Sequence, residues 1–182
     1  MLEISLHILD IVNNSVKAGA RLVEITVEED IRNNVLRIRI DDDGCGMDED
    51  FLKKVLDPFQ TTRTTRKVGM GLSLFRSAAK QASGDLMISS QKGVGTKVSV
   101  YFQYDHIDRQ PLGDMSETMM TLISGNMSMD FIYRHIINEK EFVLDTREIK
   151  RILGQDADFN CPEIVLWMKE YILDGINSLK CE

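Results

Sequence analysis

Apolar positions along the chain change period several times, and each change marks an element. In "HILDIVNNSVKAGA" (7–20) Ile8, Leu9, Ile11, Val12 and Val16 recur at helical spacing. An amphipathic helix is therefore predicted over about 3–18, stopped by Gly19. Asp10, Asn14 and Lys17 stand opposite the stripe, and at roughly 100° per residue they fall within about 60° of one another. In 21–29 Val23, Ile25 and Val27 alternate with polar residues, as in a strand with one buried face. Asn33 and Asn34 make a turn, and "VLRIRIDDDGCGM" (35–47) is a second strand with what lies beyond it. Residues 48–56 read as a short helix. Residues 57–71 have no period and are basic and glycine-punctuated, so they form a loop. Residues 72–83 are helical up to Gly84. "DLMISSQ" and "TKVSVYFQ" alternate on either side of "KGVG" and form a hairpin.

Beyond His106 the pattern begins again. "RQPLGDM" is a linker, 116–123 a helix, and "DFIYRHIINEKEFVLD" (130–145) a second hairpin. Asp145 with Glu148 has the spacing of a capping box before a short helix that ends at Gly154. Asn160 with Glu163 repeats it before a last helix, 162–179, whose Val165, Met168, Ile172, Ile176 and Leu179 make one stripe. The expected fold class is α+β: a two-layer sandwich of a mixed, mostly antiparallel sheet with helices on one face, over 1–105. Residues 106–182 are expected as a small α/β appendage serving as a partner or dimer surface.

Composition narrows the partners. The net charge is −7, which disfavours general binding to nucleic acid. Residues 1–105 carry 15 acids and 14 bases, residues 106–182 carry 14 and 8, so the acidity sits in the second part. Cys45, Cys161 and Cys181 are odd in number and awkwardly spaced, which points to a reducing cytoplasm without a disulfide frame. Three scattered histidines without a CxxC pair argue against zinc. The apolar runs are too short to span a bilayer, and the N-terminus has no signal-peptide pattern, so no membrane role is expected.

Chemistry concentrates at four places, the first being Asp10, Asn14 and Lys17 on the opening helix. By strand parity Asp42 falls on the face of Leu36, Ile38 and Ile40. A carboxylate aimed among apolar residues must be paired, because burying it alone costs several kcal/mol. Gly44 and Gly46 follow and allow close backbone approach. Such a site suits an acceptor for an exocyclic amine; the competing reading is an acidic turn in water. Gly69 and Gly71 precede a helix, whose free N–H groups favour anions. Thr61, Thr62, Thr64, Thr65, Arg63, Arg66 and Lys67 add donors. The fourth place is "GVGT" (93–96).

In this order the motifs resemble the ATPase domain shared by gyrase, the ninety-kilodalton heat-shock chaperone, sensor histidine kinases and mismatch-repair MutL proteins, the GHKL or Bergerat fold. The resemblance covers about 3–104. It implies ATP and Mg²⁺ as cofactors, with Asn14 holding the metal and Asp42 receiving the adenine amine. Gly44 and Gly46 would shape the pocket, Phe59 to Gly71 would be a mobile lid with Gly69 and Gly71 at the phosphates, and Gly95 and Thr96 the last glycine box. Lys17, Met47, Phe59, Thr61, Thr62, Lys67, Val68, Met70 and Leu72 complete the implied nucleotide contacts. "AGA" (18–20) is MutL-like; Lys17, "DPFQTTR" and "GLSL" are similar to histidine kinases. Two positions depart from the pattern. Asp10 stands where hydrolysing members carry a glutamate base, and Lys67 where the kinase lid has a further glycine.

The resemblance implies a regulatory ATPase or switch. Two alternatives stay open: a stand-alone serine kinase resembling anti-sigma-factor kinases, and a non-hydrolysing nucleotide-gated module. A conventional sensor kinase is disfavoured, since no "HE-x-x-x-P" helix exists and His7 lies in the nucleotide-site helix, while His106 and His135 read as structural or exposed. A protein partner is expected through 106–182. Small proteins of this type in anaerobes accompany iron-hydrogenase systems, and "FVLDTREIKRILG" (142–154) is similar to theirs.

Overall fold

The computed structural model describes residues 3–55, 70–154 and 159–180. The alternation of 21–29 and 35–42 becomes β1 (Leu22–Asp30) and β2 (Val35–Asp42), paired antiparallel with Ile25 opposite Ile40 and Val27 opposite Ile38. β2 pairs in turn with β4 (Gly95–Gln103), and β4 with β3 (Asp85–Gln91), both antiparallel. Val23, Ile25, Val27, Leu36, Ile38, Ile40, Val98, Val100 and Phe102 are buried, all on one face. On the other face Glu28 pairs with Arg37 and Arg39, and Asp41 with Lys97.

Against the apolar face lie α1 (Ile4–Lys17) and α3 (Met70–Gln81), while α2 (Glu49–Val55) packs near β3. α1 buries Ile4, Ile8, Ile11 and Val12, each worth about 1.5–3 kcal/mol of removed apolar surface. Phe75 of α3 is fully buried and stacks on His7 at 4.7 Å between ring centres.

The stretch after residue 106 is not spatially apart from this layer pair. β5 (Asp130–Ile137) lies parallel to β1, with Ile25 beside Tyr133, and β6 (Lys140–Asp145) pairs antiparallel with β5. The sheet therefore has six strands in the order β3-β4-β2-β1-β5-β6. α4 (Met115–Gly125) packs on α1, and α6 (Pro162–Lys180) on α4, β5 and β6. One apolar core runs from Leu86 of β3 to Ile176 of α6.

The linker clasps the start of α1. Ile4 N–H donates to the Pro111 carbonyl at 3.0 Å and Ser5 N–H to Leu112 at 2.9 Å, so two amides that a helix leaves open at its start are used by distant chain. His7 Nε2 sits 3.1 Å from Gln110 Oε1. Asp114 caps α4, accepting from Glu117 N–H at 3.0 Å. α5 (Thr146–Leu153) starts where the capping box is predicted, with one correction: Asp145 accepts from Arg147 N–H at 2.9 Å and binds the Arg147 guanidinium, and the acceptor bond does not go to Glu148 N–H. Among the described residues no helix is long and apolar enough to cross a membrane.

Candidate nucleotide site

Asp42 ends β2 on the face of Ile40, as parity predicts, which turns its carboxylate toward α1. There the buried Ser15 hydroxyl donates to Oδ2 at 2.6 Å, and Gly44 N–H donates to Oδ1 at 2.9 Å. The acidic-turn alternative belongs to the next residue instead. Asp43 is exposed, and its Oδ1 accepts from Arg21 N–H at 2.7 Å and Leu22 N–H at 2.9 Å. Partial burial opposes its charge, but those amides prevail and hold its pKa below the usual carboxylate range.

Glycine is required around Asp42 by space. A Cβ on Gly44 would lie 2.9 Å from Ala18 Cβ, and one on Gly46 2.0 Å from the Gln91 carbonyl oxygen. Gly95, at φ +139°, would place a Cβ 1.9 Å from the Asp42 carbonyl oxygen. The turn after β2 thus lies against both α1 and the β3–β4 hairpin, with Cys45 N–H donating to Ala18 O and Gly93 N–H to Cys45 O.

Thr96 is the register partner of Asp42. Its Oγ1 lies 2.9 Å from Ser90 Oγ, which accepts from Met47 N–H at 2.8 Å and donates to the Gly95 carbonyl at 2.9 Å. Asp42, Gly44, Gly46, Met47, Gly95 and Thr96 therefore meet at one end of the sheet. Ser15 and Ser90, which tie them together, escape the sequence reading. Neither carries a signal in the sequence, since Ser5 is a second buried hydroxyl of α1 and Ser90 is one of several serines in its hairpin.

Asp10 and Lys17 are exposed and Asn14 half-buried, on the side of α1 away from the core. The start of α3 comes up against that side, since a Cβ on Gly71 would sit 3.3 Å from Asp10 Cβ and 3.5 Å from its Oδ2. Gly71 and the opening helix are thereby brought together. Leu72, expected at the nucleotide, has its side chain buried in the core, so only its backbone is at the start of α3. Phe59, Thr61, Thr62, Lys67, Val68 and Gly69 lie outside the described residues, as does the side chain of Met70. His135 is buried between Tyr133 and Glu29, remote in the sheet from Asp42.

Residues 3–106 match the model of the histidine kinase-, DNA gyrase B- and HSP90-like ATPases. Histidine protein kinase DivJ of Caulobacter vibrioides is 33% identical over 97 residues, covering 51% of this chain and 16% of the kinase. The tetrathionate sensor histidine kinase TtrS of Salmonella typhimurium is 31% identical over 113 residues, covering 60% of this chain and 18% of the kinase. The chain thus spans less than a fifth of either relative. Among solved structures, the N-terminal domain of a DNA repair protein shares the fold, with a TM-score of 0.55 at 14% identity, covering 80% of this chain and 53% of that one. The family model spans more than half of the chain, and this protein belongs to the histidine kinase-, DNA gyrase B- and HSP90-like ATPase family.

Proposed function

We propose that the chain binds Mg-ATP between α1, the turn at 42–47 and the segment before α3, and works as a regulatory ATPase or nucleotide switch. The observation that carries this is the Asp42 carboxylate, held by Ser15 and Gly44 at a spot where three neighbouring glycines leave no room for side chains. A carboxylate fixed in that way is a ready acceptor for the adenine amine, with Thr96, Ser90 and Met47 bracing the same wall.

The phosphates would lie toward Gly71, where the first turn of α3 offers N–H groups, and Lys17 adds a cation from α1. Asp10 and Asn14 offer hard oxygen donors one turn apart on α1, and among the described residues no group of three His, Cys, Asp or Glu forms a protein cage. That donor set fits Mg²⁺ arriving with a triphosphate, held by Asn14, since this ion keeps most of its ligands as water and phosphate. When bound it neutralises phosphate charge. Asp10 is the water-orienting base in this reading, and it lies against Gly71 where that water would be needed. The lid, 59–71, would bring Phe59, Thr61, Thr62, Lys67, Val68 and Gly69 over the nucleotide. The 106–182 stretch, clasped to α1 through Pro111 and Leu112, is the partner-facing part.

The test is titration calorimetry of Mg-ADP with the parent and with Asp42→Ala. A lost bond to a charged acceptor is worth about 1.5–3 kcal/mol, hence roughly 10- to 100-fold in affinity. Unchanged affinity in a folded variant would remove Asp42 from the pocket.

A further inference from the structure

α6 buries Met168, Ile172, Ile176 and Leu179 and turns the opposite stripe to solvent. On the solvent side Leu166, 59% exposed, and Leu173 lie along one flank, and Trp167, 47% exposed, and Tyr171 along the other. Trp167 stacks on Tyr171 at 5.6 Å and 13°. Tyr171 meets Phe142 of β6 edge-on at 5.4 Å. Three rings therefore run as a ladder from the open face of α6 to the rim of the sheet. Glu163, Glu170 and Asp174 are exposed and, at helical spacing, interleave with the rings on the same face. Of the two cations of α6, Lys169 is drawn away to Glu117 of α4 and Lys180 stands at the last residue of the helix.

We propose that this face of α6 docks a basic amphipathic helix of a partner protein. Exposed aromatic side chains on one flank and leucines on the other, with the acids between them, mark an interaction surface. The charge on the stripe selects what covers it. An arginine of the partner can stack on Trp167 or Tyr171 while pairing with Glu170 or Asp174, two attractions satisfied by one group. A second copy of this chain related by a two-fold through the middle of α6 would set Glu170 and Asp174 against their own copies, with Lys169 engaged by Glu117. Anionic lipid and nucleic acid meet the same repulsion. The proposal rests on reading 106–182 as the partner-facing part and requires nothing of the nucleotide site.

Trp167 is the sole tryptophan, so its emission reports directly on this face. The probe is an amphipathic helical peptide of leucine and arginine, titrated beside its counterpart with glutamate for arginine. The arginine peptide is expected to shift the emission to the blue with micromolar affinity. Binding is expected to fall at least tenfold in the protein carrying Glu163→Gln, Glu170→Gln and Asp174→Asn, and again at high salt. All three side chains are solvent-exposed, and a circular-dichroism melt checks the fold of the variant. Several results overturn the proposal: no binding of the arginine peptide, equal binding of both peptides, or equal binding by the variant. A concentration-dependent dimer in sedimentation that the triple variant abolishes would assign the face to a second copy and also overturn it, as would an emission shift caused by phosphatidylserine vesicles. Mg-ADP titration of the same variant is expected to match the parent, which separates failure here from failure of the nucleotide reading.

Discussion

Replacing Ser15 by alanine removes one of the two protein donors that fix Asp42, without touching the face of α1 that carries Asp10, Asn14 and Lys17. The bond is 2.6 Å long, at the short end expected for a hydroxyl on a carboxylate. Hydrogen bonds to charged groups contribute about 1.5–3 kcal/mol. Asp42 is only half-buried and keeps Gly44, so water recovers part of that, and a loss of about 1–2 kcal/mol in unfolding free energy follows. For a chain of this size that is roughly 2–8 °C in melting temperature. The sharper measurement is a double-mutant cycle by urea unfolding, combining Ser15→Ala with Asp42→Asn. If the hydroxyl acts through the carboxylate, the pair should show a coupling near 1 kcal/mol, above the scatter of about 0.3–0.5 kcal/mol for independent sites. Additive effects within that scatter would refute the idea that Ser15 holds Asp42. The same variants in calorimetry should then show Ser15→Ala weakening Mg-ADP binding while Asp42→Asn with and without Ser15 bind alike.

Asp10→Asn should abolish whatever ATP turnover the parent shows in a phosphate-release assay while leaving Mg-ADP affinity within about twofold. The parent itself should be slow, because an aspartate reaches less far than a glutamate and ångström-scale misplacement costs about 100-fold in rate. His7 is buried against Phe75, and that desolvation lowers its pKa despite the Gln110 bond and the nearby Asp10 charge. Its stabilisation is therefore full above the unfolded value, about 6.5, and is lost as pH falls through the lower folded value. Unfolding free energy should decline from pH 7.5 to 5.5, and His7→Gln should flatten that slope; an unaltered slope would assign it elsewhere. Gly95→Ala forces a side chain onto the Asp42 carbonyl at a left-handed φ, so β4 should shift there, with a loss above about 2 kcal/mol in a chemical melt and of Mg-ADP binding in calorimetry.

Much of this arrangement is legible in the chain because period and parity are local properties. The stripe of α1, the alternation of β1 and β2, and the inward parity of Asp42 follow from residue spacing alone. Gly44, Gly46 and Gly95 show as glycines, but the atoms that forbid a Cβ there belong to Ala18, Gln91 and Asp42, which only folding brings near. Ser15 and Ser90 carry no spacing signal, since a single hydroxyl in an apolar stripe has the same pattern whether or not a carboxylate waits across the gap. The placing of β5 beside β1 is silent for a similar reason. A hairpin's own alternation says which face is buried and nothing about which strand it joins. Leu72 shows the converse: an apolar residue next to a glycine motif went to the core because its helical phase matched Phe75 and Ala79.

The clasp between the linker and α1 also sets an order of events during synthesis. His7 and Gln110 are 103 residues apart, and β1 finds its second neighbour in β5 only when residues 130–137 exist. Contacts of such long sequence separation form late, after the hairpins and helices that need only nearby chain. A ribosome that has extruded residues 3–105 has therefore not yet made a finished core. The start of α1 still lacks its acceptors at Pro111 and Leu112, and β1 is still an open edge able to recruit a foreign strand. The first layer pair should thus be completed only with residues 106–182, which makes the emerging N-terminal portion a client for chaperones until they arrive.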